Sequence, residues 1–304
     1  MSAEGGSKAV VAALGANLGI AVLKFIAFGI TRSSSMLAEG VHSLVDSGNQ
    51  VLLLVGGKRA RRVATDEHPF GYGRDRYVYG FLVALVLFTL GGMFALYEGV
   101  EKVLHPHEID KPAVAIAVLI GGIGLESFSL RTAVKESLHA KGEQSWISFI
   151  RRSKAPELPV VLLEDVAALI GLALAMIGIS IAAATGEGVW DGVGTLAIGA
   201  LLVSVAVILV VETKSLLLGE SANAPTRQEI ADALVGGAVD RVIHLRTLHL
   251  GPEELLVAAK IAVGPTDSAV EVAAAIDAAE ARVRERVPIA RVIYLEPDID
   301  RNPD

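Results

Sequence analysis

The chain has 304 residues, 52% of them hydrophobic, with a formal net charge of −7 and no cysteine. The acidic balance excludes a general nucleic-acid binder, which needs clustered positive charge against phosphate. The missing thiols exclude disulfides, thiolate metal sites and cysteine nucleophiles, so a transition metal would have to be held by imidazole and carboxylate, donors that suit Zn, Mn, Fe or Co better than Cu(I).

The apolar residues gather in long runs, and about 20 such residues cross a bilayer as a helix. Six stretches qualify, at about 9–30, 35–57, 77–103, 112–134, 158–184 and 191–213. The short polar leader Met1–Lys8 runs into the first without a convincing cleavage site, so that stretch reads as a retained helix rather than a signal peptide. The second stretch is the least apolar, because it carries Glu39, His42, Asp46, Asn49 and Gln50. Lys58, Arg59, Arg61, Arg62, Arg74 and Arg76 follow the second stretch, and Lys135, Lys141, Arg151, Arg152 and Lys154 follow the fourth. The alternate loops hold only Arg32, or Lys102 and Lys111, or no basic residue in Gly186–Asp191. Basic loops stay on the cytoplasmic side, so a multi-pass membrane protein with both termini cytoplasmic is expected.

Within 135–156, Trp146, Ile147, Phe149 and Ile150 sit beside Arg151, Arg152 and Lys154, an amphipathic pattern that fits the inner membrane interface. After residue 214 the composition changes. Residues 226–237 predict a helix, and Val242–Leu250 and Leu255–Val263 predict strands either side of Gly251-Pro252. Ser268 and Glu271 form a capping box opening a helix to about Val287, and Arg291–Leu295 predicts a last strand. The expected fold class is an all-α membrane domain of six transmembrane helices over 1–214, followed by a small α/β cytoplasmic domain, α-β-β-α-β, over 215–304.

His42 and Asp46 are four residues apart and so leave one face of the second span, near mid-bilayer, with Glu39 a turn further out. One polar residue could be glue between helices, whereas three ionisable groups on one stripe read as an ion pathway. The fifth span adds Glu164 and Asp165. Adjacent residues lie about 100° apart around a helix, so only one points straight at the second span. Asp165 is expected to do so, while Glu164 reaches the same cavity, captures protons or marks the helix's inner end. His42, Asp46 and Asp165 then offer one imidazole and two carboxylates, with a fourth place for water or Glu164, a tetrahedral zinc shell. Protonating the same ligands would release the metal. Glu126 lines the path or makes an interhelical hydrogen bond; Asn17 and Lys24 read as structural.

Ser35-Met36-Leu37-Ala38-Glu39-Gly40-Val41-His42-Ser43-Leu44-Val45-Asp46 has the form A-[DE]-x-x-H-S-x-x-D, and His68-Pro69-Phe70-Gly71-Tyr72-Gly73-Arg74 precedes the third span. In these two motifs, and in its metallochaperone-like closing domain, the chain resembles the cation diffusion facilitator family over almost its whole length. The runs around Ser145–Arg152 and Leu158–Asp165 resemble the branch of the mitochondrial zinc transporter nine and its bacterial relatives. The resemblance implies a homodimer in a bacterial inner membrane, a transporter rather than an enzyme. It would export a divalent metal from the cytoplasm in exchange for protons. Zn2+, or alternatively Mn2+, Fe2+ or Co2+, is then cargo and not a permanent cofactor; a membrane metal sensor is the competing function. It also implies a charge contact between the domains, for which Arg74 and Glu220 are the candidates. The chain departs from the family pattern at Val161, where many zinc members carry His. Thr65 and Tyr72 replace Asp and His beside His68, a secondary metal position in some members. Ile243, Ala259, Tyr294 and Glu296 stand where a cytoplasmic two-metal site would lie, so that site is expected to be absent or weak. His244 and His249 are expected to be solvent-facing strand residues on opposite sides.

Overall fold

The computed structural model describes residues 3–31, 34–106 and 111–300, without the side chains of 3–5, 31, 34–39, 41 and 42. The chain forms two compact units, Met1–Arg59 with Asp75–Lys214, and Ala60–Arg74 with Ser215–Asp304. The loop 60–74 therefore groups with the C-terminal segment rather than with the helices it connects.

The first unit is helical: α1 (Ala3–Thr31), α2 (Ser34–Arg59), α3 (Asp75–Val86), a π-helical stretch (Leu87–Met93), α4 (Phe94–Leu104), α5 (Pro112–Lys141), α6 (Trp146–Arg152), α7 (Glu157–Thr185) and α8 (Val189–Leu218). Among the described residues five stretches are long and apolar enough to cross a membrane: Gly6–Ile30, Asp75–Leu104, Pro112–Lys141, Glu157–Thr185 and Val189–Leu218. α2, with 26 residues, is long enough but carries too many polar groups to qualify. Its Ser43, Ser47, Asn49 and Gln50 are buried among neighbouring helices.

The helix expected at 112–134 continues to Lys141, so the expected interfacial segment splits into this extension, a turn and α6. Nothing between Arg131 and Lys141 breaks a helix, and lysine and glutamate are good helix formers. The helix stops at Gly142, which adopts φ +56°. α6 begins at Ser145, whose side chain accepts a hydrogen bond from the Ser148 amide, and it buries Phe149. The π-helical stretch and α4 approach α8 backbone to backbone along a glycine seam. A Cβ on Gly92, Gly99, Gly192 or Gly199 would lie within 2.9 Å of the backbone nitrogen of Val203, Leu196, Val103 or Leu96 respectively. Small residues at such seams are how helices associate in lipid, where no hydrophobic effect drives them together.

The second unit contains α9 (Ala224–Leu234), β1 (Arg241–Gly251), β2 (Glu254–Ala262), α10 (Ala269–Arg286) and β3 (Ala290–Asp298). β2 is central, antiparallel to β1 and parallel to β3. Ile230, Leu234, Leu255, Val257, Ile261, Ala279 and Val283 form its apolar core. α9 starts before the expected 226 because Asn223 caps it, accepting from the Thr226 amide. It ends at Leu234, short of the expected 237, because Gly236 and Gly237 take positive φ. The expected last strand is longer: β3 pairs with β2 out to Ala262 opposite Asp298, and Pro297 is tolerated because β3 is an edge strand. The capping box at Ser268 and Glu271 is fully formed. The Ser268 amide and hydroxyl hold the Glu271 carboxyl below its ordinary range. The loop 60–74 lies on the β1–β2 turn, where a Cβ on Gly251 would meet Gly73 Cα at 2.9 Å.

Candidate functional site

In the first unit, Asp46 of α2, Glu126 of α5, and Glu164 and Asp165 of α7 line one cavity of about 230 Å3, together with Lys24 and Ser43. α7 enters it from an apolar stretch, Leu158 to Leu162, that packs into the hydrophobic core, Val161 included. The next turn turns polar with Glu164 and Asp165. Ionisable groups are costly in such surroundings and mark ion or proton routes when they line a cavity.

The two carboxylates of α7 take different neighbours. Glu164 accepts from Asn49 Nδ2 at 3.0 Å and from Gln50 Nε2 at 2.9 Å, both on α2. Gln50 Oε1 in turn accepts from Asn17 Nδ2 of α1 at 3.3 Å. Asp165 accepts from Ser129 Oγ of α5 at 2.7 Å. Glu164, rather than the expected Asp165, is thus the one hydrogen-bonded to α2. The 100° step between adjacent residues remains the reason they diverge. Lys24 Nζ donates to Ser43 Oγ at 2.9 Å. Glu126 is buried and lines the cavity. Asn49 Oδ1 is buried without a hydrogen-bond partner, an acceptor left over on the turn after Asp46.

The side chains of Glu39 and His42 lie outside the described residues. Among the described residues, no three His, Asp or Glu side chains gather tightly enough to hold a metal ion. The structure therefore brings Asp46, Glu126, Glu164 and Asp165 to one cavity without closing them into a shell.

Two ion clusters escaped the sequence reading. Arg76, on the first turn of α3, pairs in two-pronged fashion with Glu157 at the start of α7, its Nη2 donating to Oε2 at 2.8 Å and its Nε to Oε1. Their side chains are only 11% and 7% exposed. In the sequence Arg76 reads simply as one of the basic residues that follow the second stretch. At the cavity's other end Lys102 meets Glu98 and Asp191.

The remaining sequence candidates lie in the second unit. His68 is exposed and rests its ring edge-on against Tyr72, centroids 4.6 Å apart, while its amide donates to Thr65 Oγ1. Arg74 is exposed, and the Glu220 carbonyl accepts from the His249 amide at 2.9 Å. His244 is exposed, but His249 is only 4% exposed, which corrects the expectation that it faces solvent. From His244 to His249 the pairing with β2 runs without a register shift, so the two histidines, five positions apart, lie on opposite sides as expected, and the side of His249 is the covered one.

Residues 10–218 match the cation efflux transmembrane domain family. The mitochondrial proton-coupled zinc antiporter SLC30A9 of Xenopus laevis is 32% identical over 247 residues, 80% of this chain and 44% of that protein. Its Homo sapiens counterpart is 32% identical over 244 residues, 79% of this chain and 43% of that one. Metal tolerance protein C4 of Arabidopsis thaliana is 28% identical over 248 residues, 81% and 54%. The chain thus spans about half the length of these curated relatives, or less. With a family match over more than half its length and five apolar helices, this integral membrane protein belongs to the cation efflux family.

Proposed function

We propose that the protein is a secondary transporter that exports a divalent transition-metal cation, Zn2+ foremost, from the cytoplasm in exchange for protons. The observation that carries this reading is the cavity in which Asp46, Glu126, Glu164 and Asp165 converge from three helices. Such an array attracts a divalent cation, and protons can replace the metal on the same oxygens when it leaves. The cargo's ligands are His42 and Asp46 of α2 and Asp165 of α7. Glu164 is tied to Asn49 and Gln50 and fixes α2 against α7. α2 is the sixth span, its polar face turned to the cavity, and the basic loops put both termini in the cytoplasm. Residues 1–214 are the membrane domain and 215–304 a cytoplasmic domain that pairs in a homodimer, with Arg74 and Glu220 in charge contact. The names of the SLC30A9 relatives, proton-coupled zinc antiporters, support the same reading.

A second cargo class is favoured by one observation. Val161, one turn before Asp165, is wholly buried in the apolar core and supplies no donor. A site with one imidazole and several carboxylates is harder and discriminates less against Mn2+, Fe2+ and Co2+. Purified protein in vesicles, given a panel of metals and an imposed pH gradient, tests both points. Gradient-driven Zn2+ flux with measurable flux of one harder metal is expected. Flux indifferent to the gradient would remove proton exchange.

A further inference from the structure

The cavity ends, away from Asp46 and Asp165, at a cluster that the transport mechanism above leaves unused. Lys102, near the end of α4, places Nζ 3.1 Å from Glu98 Oε1 one turn back and 3.1 Å from Asp191 Oδ2 in the first turn of α8. Thr195 Oγ1 lies 3.4 Å from the same ammonium. All four residues line the cavity, and the three charged side chains are only 23–27% exposed. Much of the remaining lining is apolar, with Phe94, Leu172, Ile179 and Leu202, and the Lys24 ammonium in it is hydrogen-bonded to Ser43. A cation travelling the cavity's length therefore meets charged oxygen at the carboxylates and again at this end.

The cluster is not needed to hold α4 to α8. The glycine seam does that on both sides of it, at Gly99 against Leu196 and at Gly192 against Val103. Two carboxylates facing one another across a cation path would bind a divalent ion and slow its departure. An ammonium on a flexible four-carbon arm cancels that attraction, yet can swing aside.

We propose that Lys102 is a tethered counter-cation at the cavity's outer mouth: its ammonium occupies the oxygen cage of Glu98, Asp191 and Thr195, so that the exported metal passes without lodging there. The outer placement rests on the export reading above. Lys102 then sets release and re-entry rather than loading, and acts on the cargo through the two carboxylates it neutralises.

The test has two arms, both on full-length protein. In vesicles, Lys102→Met should make Zn2+ on the receiving side inhibit flux at about tenfold lower concentration, since one neutralising charge is lost beside a divalent ion. Turnover should fall, while half-saturation on the loading side stays unchanged. Lys102→Arg should behave as wild type, and adding Asp191→Asn to Lys102→Met should restore weak inhibition. In detergent, equilibrium binding with Zn2+ alone should show one additional site in Lys102→Met, lost again in the double variant. If wild type moves no metal, the export reading fails, and the binding arm still decides the role of Lys102. Lys102→Met with no added Zn2+ site and unchanged receiving-side inhibition overturns the proposal. So does an impairment that Asp191→Asn fails to correct.

Discussion

The two units bury polar groups to different extents. Among the described residues, the first buries Ser43, Ser47, Asn49, Gln50, Glu126, Ser129, Ser137, Glu157, Asp165 and Thr213, whereas the second buries only Thr247 and His249. The second unit's interior is a run of Val, Ile, Leu and Ala over one face of a three-stranded sheet. Burying a polar or charged group costs free energy unless partners satisfy it, and an apolar core needs no such partners. The first unit therefore carries groups that stability alone would not select. The contrast teaches that function and stability should be separable by mutation in the first unit and inseparable from packing in the second.

The largest effect should come from the cavity. Asp46→Ala and Asp165→Ala should each reduce metal flux to background without unfolding the protein, Asp165→Ala costing only the hydrogen bond from Ser129, about 1–3 kcal/mol. Flux assays alongside thermal unfolding check both halves of the statement. Next comes Glu157→Ala, which leaves Arg76 without its buried partner and should destabilise by about 3–5 kcal/mol. Replacing both with Met and Leu should recover most of that loss, because an apolar pair of similar volume needs no desolvation. Failure of the double variant to recover would show that this pair does more than satisfy itself.

In the second unit, Ile261→Ala empties space in the apolar core near the end of β2 and should cost about 2–5 kcal/mol. Flux per folded molecule should not change, and denaturation monitored beside transport separates the two. The smallest effect is at the capping box. Ser268→Ala should cost about 1 kcal/mol. Glu271 there has a lowered folded-state pKa, so its contribution is present above the ordinary glutamate range and fades as pH falls through the folded value. The Ser268→Ala loss should therefore shrink in acid, which unfolding curves across pH would register.

Much of the fold was legible because the signals are local. The five apolar stretches and the Ser268–Glu271 box each need only a few neighbouring residues. What escaped depends on distant or rotational facts. Whether Glu164 or Asp165 turns to α2 is a matter of how α7 is rotated, and periodicity cannot fix that angle. Arg76 and Glu157 meet across 81 positions of chain, so neither advertised the other. That His244 and His249 lie on opposite sides follows from their odd spacing, but which side is covered depends on what packs there, and this buries His249. α5 outran its expected end because a search for apolar residues stops where charges begin, while a helix stops only where its backbone does, at Gly142.

The most direct test of the central claim, that the cavity carboxylates exchange metal for protons, is a vesicle experiment with a pH-sensitive dye and a Zn2+ indicator read together. In wild type, Zn2+ movement and an opposing proton movement should rise together, and both should vanish in Asp165→Asn. Zn2+ movement that persists in Asp165→Asn, or that proceeds in wild type without any proton signal, would contradict the account.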